Sequence, residues 1–128
     1  MSFKPSGYPS MSPYLITERA SDVIRFLATA VGGSELQRFE RADGSIQHAE
    51  VRVDDSVVMM GEATDGWPAE PSHIHIYVPD VDATYASALA AGGESVAAPS
   101  QQGDPDRRCG VRDPGGNTWW FSTRVGGP

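Results

Sequence analysis

The sequence is poor in cysteine, in basic residues and in long apolar runs. Cys109 is the single cysteine among 128 residues, so no disulfide can form within the chain and a secreted, disulfide-stapled scaffold is excluded. Lys and Arg total 10 against 17 Asp and Glu, giving a net charge of -7 and a pI near 4.7. Such a molecule repels phosphate backbones and anionic lipid, so nucleic acid and membrane surfaces are not expected partners. The longest apolar runs, such as Val57-Val58-Met59-Met60, fall far short of the roughly 20 residues that a membrane span needs. The N-terminus carries no basic-then-apolar signal pattern, and a cytoplasmic location is the expectation.

What is plentiful is turn chemistry, with 14 Gly and 10 Pro. A length of 128 residues suits one domain, large enough to bury roughly two-thirds of its unfolded surface without a metal or disulfide. Aligned with itself at a shift of 60, the chain matches without a gap: Ser12 with Ser72, Ile16 with Ile76, Asp22 with Asp82, Ala28 with Ala88, Ala30 with Ala90, Gly32-Gly33 with Gly92-Gly93, and Val51-Arg52 with Val111-Arg112. This is the mark of an internal duplication. It predicts a single domain over 1–128, built of modules 11–66 and 71–126.

Each module opens with a short strand, 13–17 or 73–78, followed by a helix with apolar residues at helical spacing: Val23, Ile24, Phe26, Leu27 and Val31 in one, Val81, Tyr85, Ala88 and Leu89 in the other. Asp22 and Asp82 suit first helical turns, and the glycine pairs suit the stops. Three strands follow in each module, 34–40, 47–53 and 56–62, then 95–99, 107–112 and 117–124, with Asp54-Asp55 and 113–116 as turns. The unit is βαβββ, twice, an α+β fold whose mixed sheets line a cleft. Residues 1–10 and 126–128 read as tails, 64–71 as the linker, and 101–106 as a mobile loop over the cleft.

The paired module, the segment His75-Ile76-Tyr77-Val78-Pro79-Asp80-Val81-Asp82-Ala83 with Ala91-Gly92-Gly93 behind it, and Arg112-Asp113-Pro114-Gly115-Gly116-Asn117 resemble the glyoxalase/bleomycin-resistance/dioxygenase (vicinal oxygen chelate) superfamily. His48-Ala49-Glu50 and the ending Trp119 to Val125 look most like its PhnB-like branch. The resemblance covers about residues 11–126 and implies a homodimer. It also implies four metal-ligand positions, at the first and last strands of each module. His73 matches one; Trp120 stands where the family has a glutamate, and the shift of 60 gives Pro13 and Met60 as the other two. The standard metal site is therefore expected to be lost, with no cofactor as the leading expectation.

Residues two apart on a strand share a face. Alternation places Leu15, Thr17, His48, Glu50, Arg52, Val58, Met60, Glu62, His73, His75, Tyr77, Arg108, Arg112, Thr118, Trp120 and Ser122 on the cleft. Tyr14, Ile16, Ala49, Val51, Val53, Val57, Met59, Ile74, Ile76, Val78, Cys109, Val111, Trp119 and Phe121 go to the core.

Three readings follow. In the first, the cleft binds a small aromatic or conjugated molecule, anionic ones included, without the standard metal: Trp120 and Tyr77 hold it, with Trp67 at the rim, while His73, His75, Arg108 and Arg112 orient it, and Met60 and Glu62 help to line the site. In the second, the protein is a lyase, isomerase or ring-cleaving dioxygenase with a divalent ion (Zn, Ni, Fe or Mn) at His73, completed by His75, His48 or Glu50. In the third, His48 is a metal-free general base oriented by Glu50.

Overall fold

The computed structural model describes residues 2–126. Two βαβββ modules follow one another: β1 (Tyr14–Thr17), α1 (Ala20–Val31), β2 (Ser34–Glu40), β3 (Ile46–Val53) and β4 (Ser56–Glu62), then β5 (His73–Tyr77), α2 (Val81–Ala90), β6 (Glu94–Gln101), β7 (Asp106–Arg112) and β8 (Thr118–Arg124). Each module makes its own mixed four-stranded sheet, β1-β4-β3-β2 (sheet A) and β5-β8-β7-β6 (sheet B). In both, the first strand runs parallel to the last and the other pairs are antiparallel. This is the α+β architecture expected from the sequence.

The helices begin differently. Asp80, not Asp82, caps α2, its carboxylate accepting from Ala83 N at 3.1 Å, and Asp82 instead holds Arg107 in two 2.9 Å hydrogen bonds. Helix α1 has no side-chain cap. Its first N–H, Ala20 N, donates at 2.9 Å to Glu62 Oε2 at the end of β4, which satisfies one of the free donors at the helix start.

One core runs through both modules. Trp119, Phe26 and Phe121 are fully buried in it, each worth about 2–3 kcal/mol of transfer free energy. Across the module boundary, Asn117 Nδ2 donates to Thr17 Oγ1 at 3.0 Å. The carboxylate of buried Asp113 fixes the β7–β8 turn, accepting from Gly115 N at 2.8 Å, Asn117 N at 3.0 Å and Trp119 Nε1 at 2.7 Å.

The duplication is not gap-free. Arg52 pairs with Val57 and Arg112 with Thr118, so the partners before the turn stand 60 apart and those after it 61. At the helix ends Gly33 N bonds back to Leu27 O, but Gly93 N bonds to Ala88 O, one residue nearer. The shift is thus 61 through β1, α1 and β4, and 60 through β2 and β3. One residue is enough to exchange the two faces of a strand. Leu15, Thr17, Val58 and Met60, expected in the cleft, are buried in the core; their neighbours Tyr14, Ile16 and Met59 lie exposed or half-exposed on the other face, where Val57 is also fully buried.

Candidate functional site

The open face of sheet B gathers most of the expected residues, in cross-strand rows: Tyr77, Ser122 and Arg108; His75, Trp120 and Gly110; His73, Thr118 and Arg112. Gly110 decides the middle row. A Cβ there would stand 2.5 Å from Trp120 Cζ3 and 2.9 Å from its Cε3, so the indole lies flat over the glycine. Trp120 Nε1 donates to His73 Nδ1 at 3.1 Å, with the two rings 11° from parallel and their centroids 6.2 Å apart. An in-plane N–H···N bond between nearly parallel rings joins them edge to edge. Indole and imidazole form one continuous flat surface, open to a ligand's π-face.

A polar rim adjoins it. His75 Nε2 and Arg108 Nε both contact Ser122 Oγ, at 2.9 and 3.0 Å. Burial, helped by the Arg108 charge, pushes the His75 pKa down, so its imidazole is neutral at pH 7. Tyr77, 62% exposed, donates from its hydroxyl to Asp106 Oδ2 at 2.7 Å, and that bond raises the phenol pKa. Arg108 Nη2 reaches the same oxygen at 3.4 Å, and its Nη1 lies 3.5 Å from Asp104. Asp106 is buried, and its Oδ1 has no hydrogen-bond partner among the described residues. The strand expected over 107–112 begins one residue earlier, at Asp106, so its alternation carries no sign of this carboxylate's role.

Arg112 does not join this rim. It lies 3.9 Å from Glu94 and lines a separate groove with Arg19 and Arg25, so the expected two-arginine clamp is not assembled. Nor is there a long loop over the cleft: β6 extends to Gln101 and β7 starts at Asp106. The short connection is tied down by Gln101 Nε2 to Asp104 O at 3.0 Å and by Val125 N and Gly126 N to Pro105 O, both at 2.9 Å.

Sheet A carries a different network. His48 Nε2 lies 2.8 Å from Glu50 Oε2, and its Nδ1 lies 3.1 Å from the Tyr14 hydroxyl. Tyr8 donates to the other oxygen of Glu50, and Arg52 Nη1 donates to Gly7 O at 2.9 Å. Residues expected to be a tail therefore lie across β3. Burial by itself would raise the Glu50 carboxyl, but the bonds from His48 and Tyr8 outweigh it and hold the pKa below the usual range. Two expected ligand contacts of this module fail for the reason of register. Met60 is fully buried, and the Glu62 carboxylate points to α1, accepting from Ala20 N at 2.9 Å and Ile46 N at 3.1 Å. Trp67 lines a pocket with Tyr14 rather than the rim near Trp120.

The sequence profile of the Glyoxalase/Bleomycin resistance protein/Dioxygenase superfamily matches residues 12–121. The chain belongs to this superfamily. Among its relatives are the uncharacterized proteins Mb0911c of Mycobacterium bovis and Rv0887c of Mycobacterium tuberculosis. Both are 33% identical over 122 residues, covering 87% of this chain and 80% and 72% of theirs. Similar solved structures include TioX from Micromonospora sp. ML1 (TM-score 0.75, 23% identity, 91% of this chain and 99% of that one). Protein PA1353 from Pseudomonas aeruginosa is alike to the same degree (TM-score 0.75, 20% identity, 91% and 98%). A PhnB protein from Bacillus cereus shares the fold at 12% identity (TM-score 0.68, 90% and 99%).

Within the superfamily's pattern, the structural shift of 61 moves the first-module counterparts of His73 and Trp120 to Ser12 and Met59, in place of Pro13 and Met60. Neither is a ligand for a borderline divalent ion of the zinc type. The substitutes do not converge either: His48 and Glu50 bind one another on sheet A, while His73 and His75 stand on sheet B with Trp120 and Ser122. Among the described residues no three His, Cys, Asp or Glu side chains are placed to hold a metal. The described residues of one chain are not arranged to fit a divalent ion. Nor, among the described residues, is any helix long and apolar enough to cross a membrane.

Proposed function

We propose that this superfamily member binds a flat aromatic or conjugated molecule on sheet B, without the standard metal set. The observation that carries the reading is the coplanar Trp120–His73 pair laid over Gly110. A flat apolar surface beside a few oriented polar groups is the usual composition of a small-molecule site. Here the neighbouring groups are neutral His75, the Ser122 hydroxyl, the Tyr77 hydroxyl and Arg108, whose charge is shared with Asp104 and Asp106. A ligand stacked on the indole meets hydrogen-bonding groups at one edge, where Asp104 and Asp106 offset the Arg108 charge, which suits a planar compound with a carbonyl or carboxylate acceptor.

The PhnB-like placement rests on the 48–50 and 119–125 motifs, and a cytoplasmic setting is part of this reading. The protein acts in this reading as a homodimer, in which a second copy covers the exposed Phe39 on sheet A. Sedimentation equilibrium reads that state directly.

The binding test is a titration with 2-naphthoate, followed by tryptophan fluorescence and by calorimetry. Saturable binding to the wild type that is lost in Trp120→Ala, while Trp67 and Trp119 still emit, is the expected result. Equal binding by the two proteins, or none by either, overturns the reading.

A further inference from the structure

The Tyr14–His48–Glu50 chain has a direction. Glu50 is held ionised and can only accept, so His48 Nε2 carries the proton in their 2.8 Å contact. With the single ring proton at Nε2, Nδ1 is an acceptor, and the Tyr14 hydroxyl donates to it at 3.1 Å. The phenol oxygen is left with its lone pairs free. This is the order of groups in a nucleophile–histidine–carboxylate triad, with a phenol at the working end. Tyr8 holds the other oxygen of the buried Glu50, and Arg52 fastens the segment that carries Tyr8 through Gly7 O at 2.9 Å.

Tyr14 is also a wall of a pocket of about 430 Å³, together with Ile16, Gly61, Glu62, Trp67, Gln47 and Arg41. Gly61 lets the tyrosine cross β4: a Cβ there would stand 3.2 Å from the phenol oxygen and 2.9 Å from Gln47 O. Arg41 is held by neutral acceptors only, Ser45 Oγ at 3.2 Å, Ile46 O at 3.3 Å and Glu62 O at 3.4 Å. Among the described residues no carboxylate reaches it within ion-pair distance, although the Asp43 charge acts on it and Glu62 lines the same pocket; the guanidinium therefore faces the same pocket as the base.

We propose that this pocket is a metal-free proton-transfer site for a small, largely apolar carbon acid, with Tyr14 as the group that takes the substrate proton. The C–H bond breaks, its proton passes to the Tyr14 oxygen, and the tyrosine's own proton moves to His48 Nδ1. The electron pair left on carbon shifts to a carbonyl oxygen facing Arg41, and return of the proton to a second carbon completes an isomerisation with no oxidant or reductant. Glu50 is a positioning residue that balances the imidazolium. The site shares no residue with the Trp120 platform and stands or falls independently of it.

The test uses the full-length protein with 5-nitrobenzisoxazole, a flat carbon acid. Removal of its ring C–H proton closes a nitrile as the N–O bond breaks, and the electron pair ends on a coloured phenolate oxygen. Turnover above the buffer rate is expected, falling about a hundredfold in kcat for Tyr14→Phe and for His48→Gln. Within about twofold, KM should be unchanged in Tyr14→Phe, which keeps the pocket wall, and circular dichroism confirms that both variants fold. A wild-type rate equal to buffer, or equal to that of Tyr14→Phe, overturns the proposal.

Discussion

The indole of Trp120 rests on Gly110, with 2.5 Å between its Cζ3 and the place a Cβ would occupy. Replacing Gly110 with alanine must therefore lift the ring or move β7, at a cost of about 1–3 kcal/mol. Lifting the ring also breaks its bond to His73. Gly110→Ala should weaken 2-naphthoate binding more than it lowers the urea midpoint, and the two measured together separate loss of the flat surface from loss of the fold.

His75 makes stability depend on pH. Its folded pKa lies below 6.5, so between the two values the unfolded chain binds more protons than the folded one. The contribution from keeping this imidazole neutral is complete above about pH 6.5 and is lost progressively below it. Urea denaturation from pH 5 to 8 should show a rise in stability that is shallower in His75→Gln.

Glu50 acts lower on the scale and through the opposite charge. Its folded pKa is depressed below 4.5, so its ionised form stabilises the protein above that pH, and this stabilisation disappears as the pH falls through the folded value. Glu50→Gln should lie below the wild type near neutrality and converge with it as the pH falls through the depressed folded value. Parallel stability curves for the two proteins would contradict the assignment.

Asp113 supports the site from beneath. Its carboxylate holds Gly115 N, Asn117 N, Asn117 Nδ2 and Trp119 Nε1, and Asp113→Ala would leave several buried donors unpaired. The expected loss is about 3–5 kcal/mol by guanidinium titration, with Asp113→Asn intermediate.

Cys109 is fully buried, and desolvation pushes its thiol pKa up to about 11. It should react with Ellman's reagent only when the protein unfolds, at a rate that follows urea concentration.

The sequence by itself determined the class of fold and the order of its elements. Alternation with period two put Ile74, Ile76, Trp119 and Phe121 on the core side of sheet B and His73, His75, Tyr77 and Trp120 on the open side. Strands of that length with apolar residues on one face admit no other burial. The same reasoning failed for β1 and β4, where both faces are apolar enough to pack, as Leu15 beside Ile16 and Met59 beside Met60 show. There only the repeat points to a face, and a one-residue difference at the helix stop and in the β7–β8 turn inverts it. Only the tertiary structure decided which face Tyr14 takes, and with it the Tyr14–His48 bond. Only the tertiary structure could lay Tyr8 over Glu50, set Arg41 beside Tyr14 or bring Trp120 and His73 into one plane. Each is a contact between strands or loops distant in sequence, whose geometry depends on register and side-chain packing rather than on local periodicity.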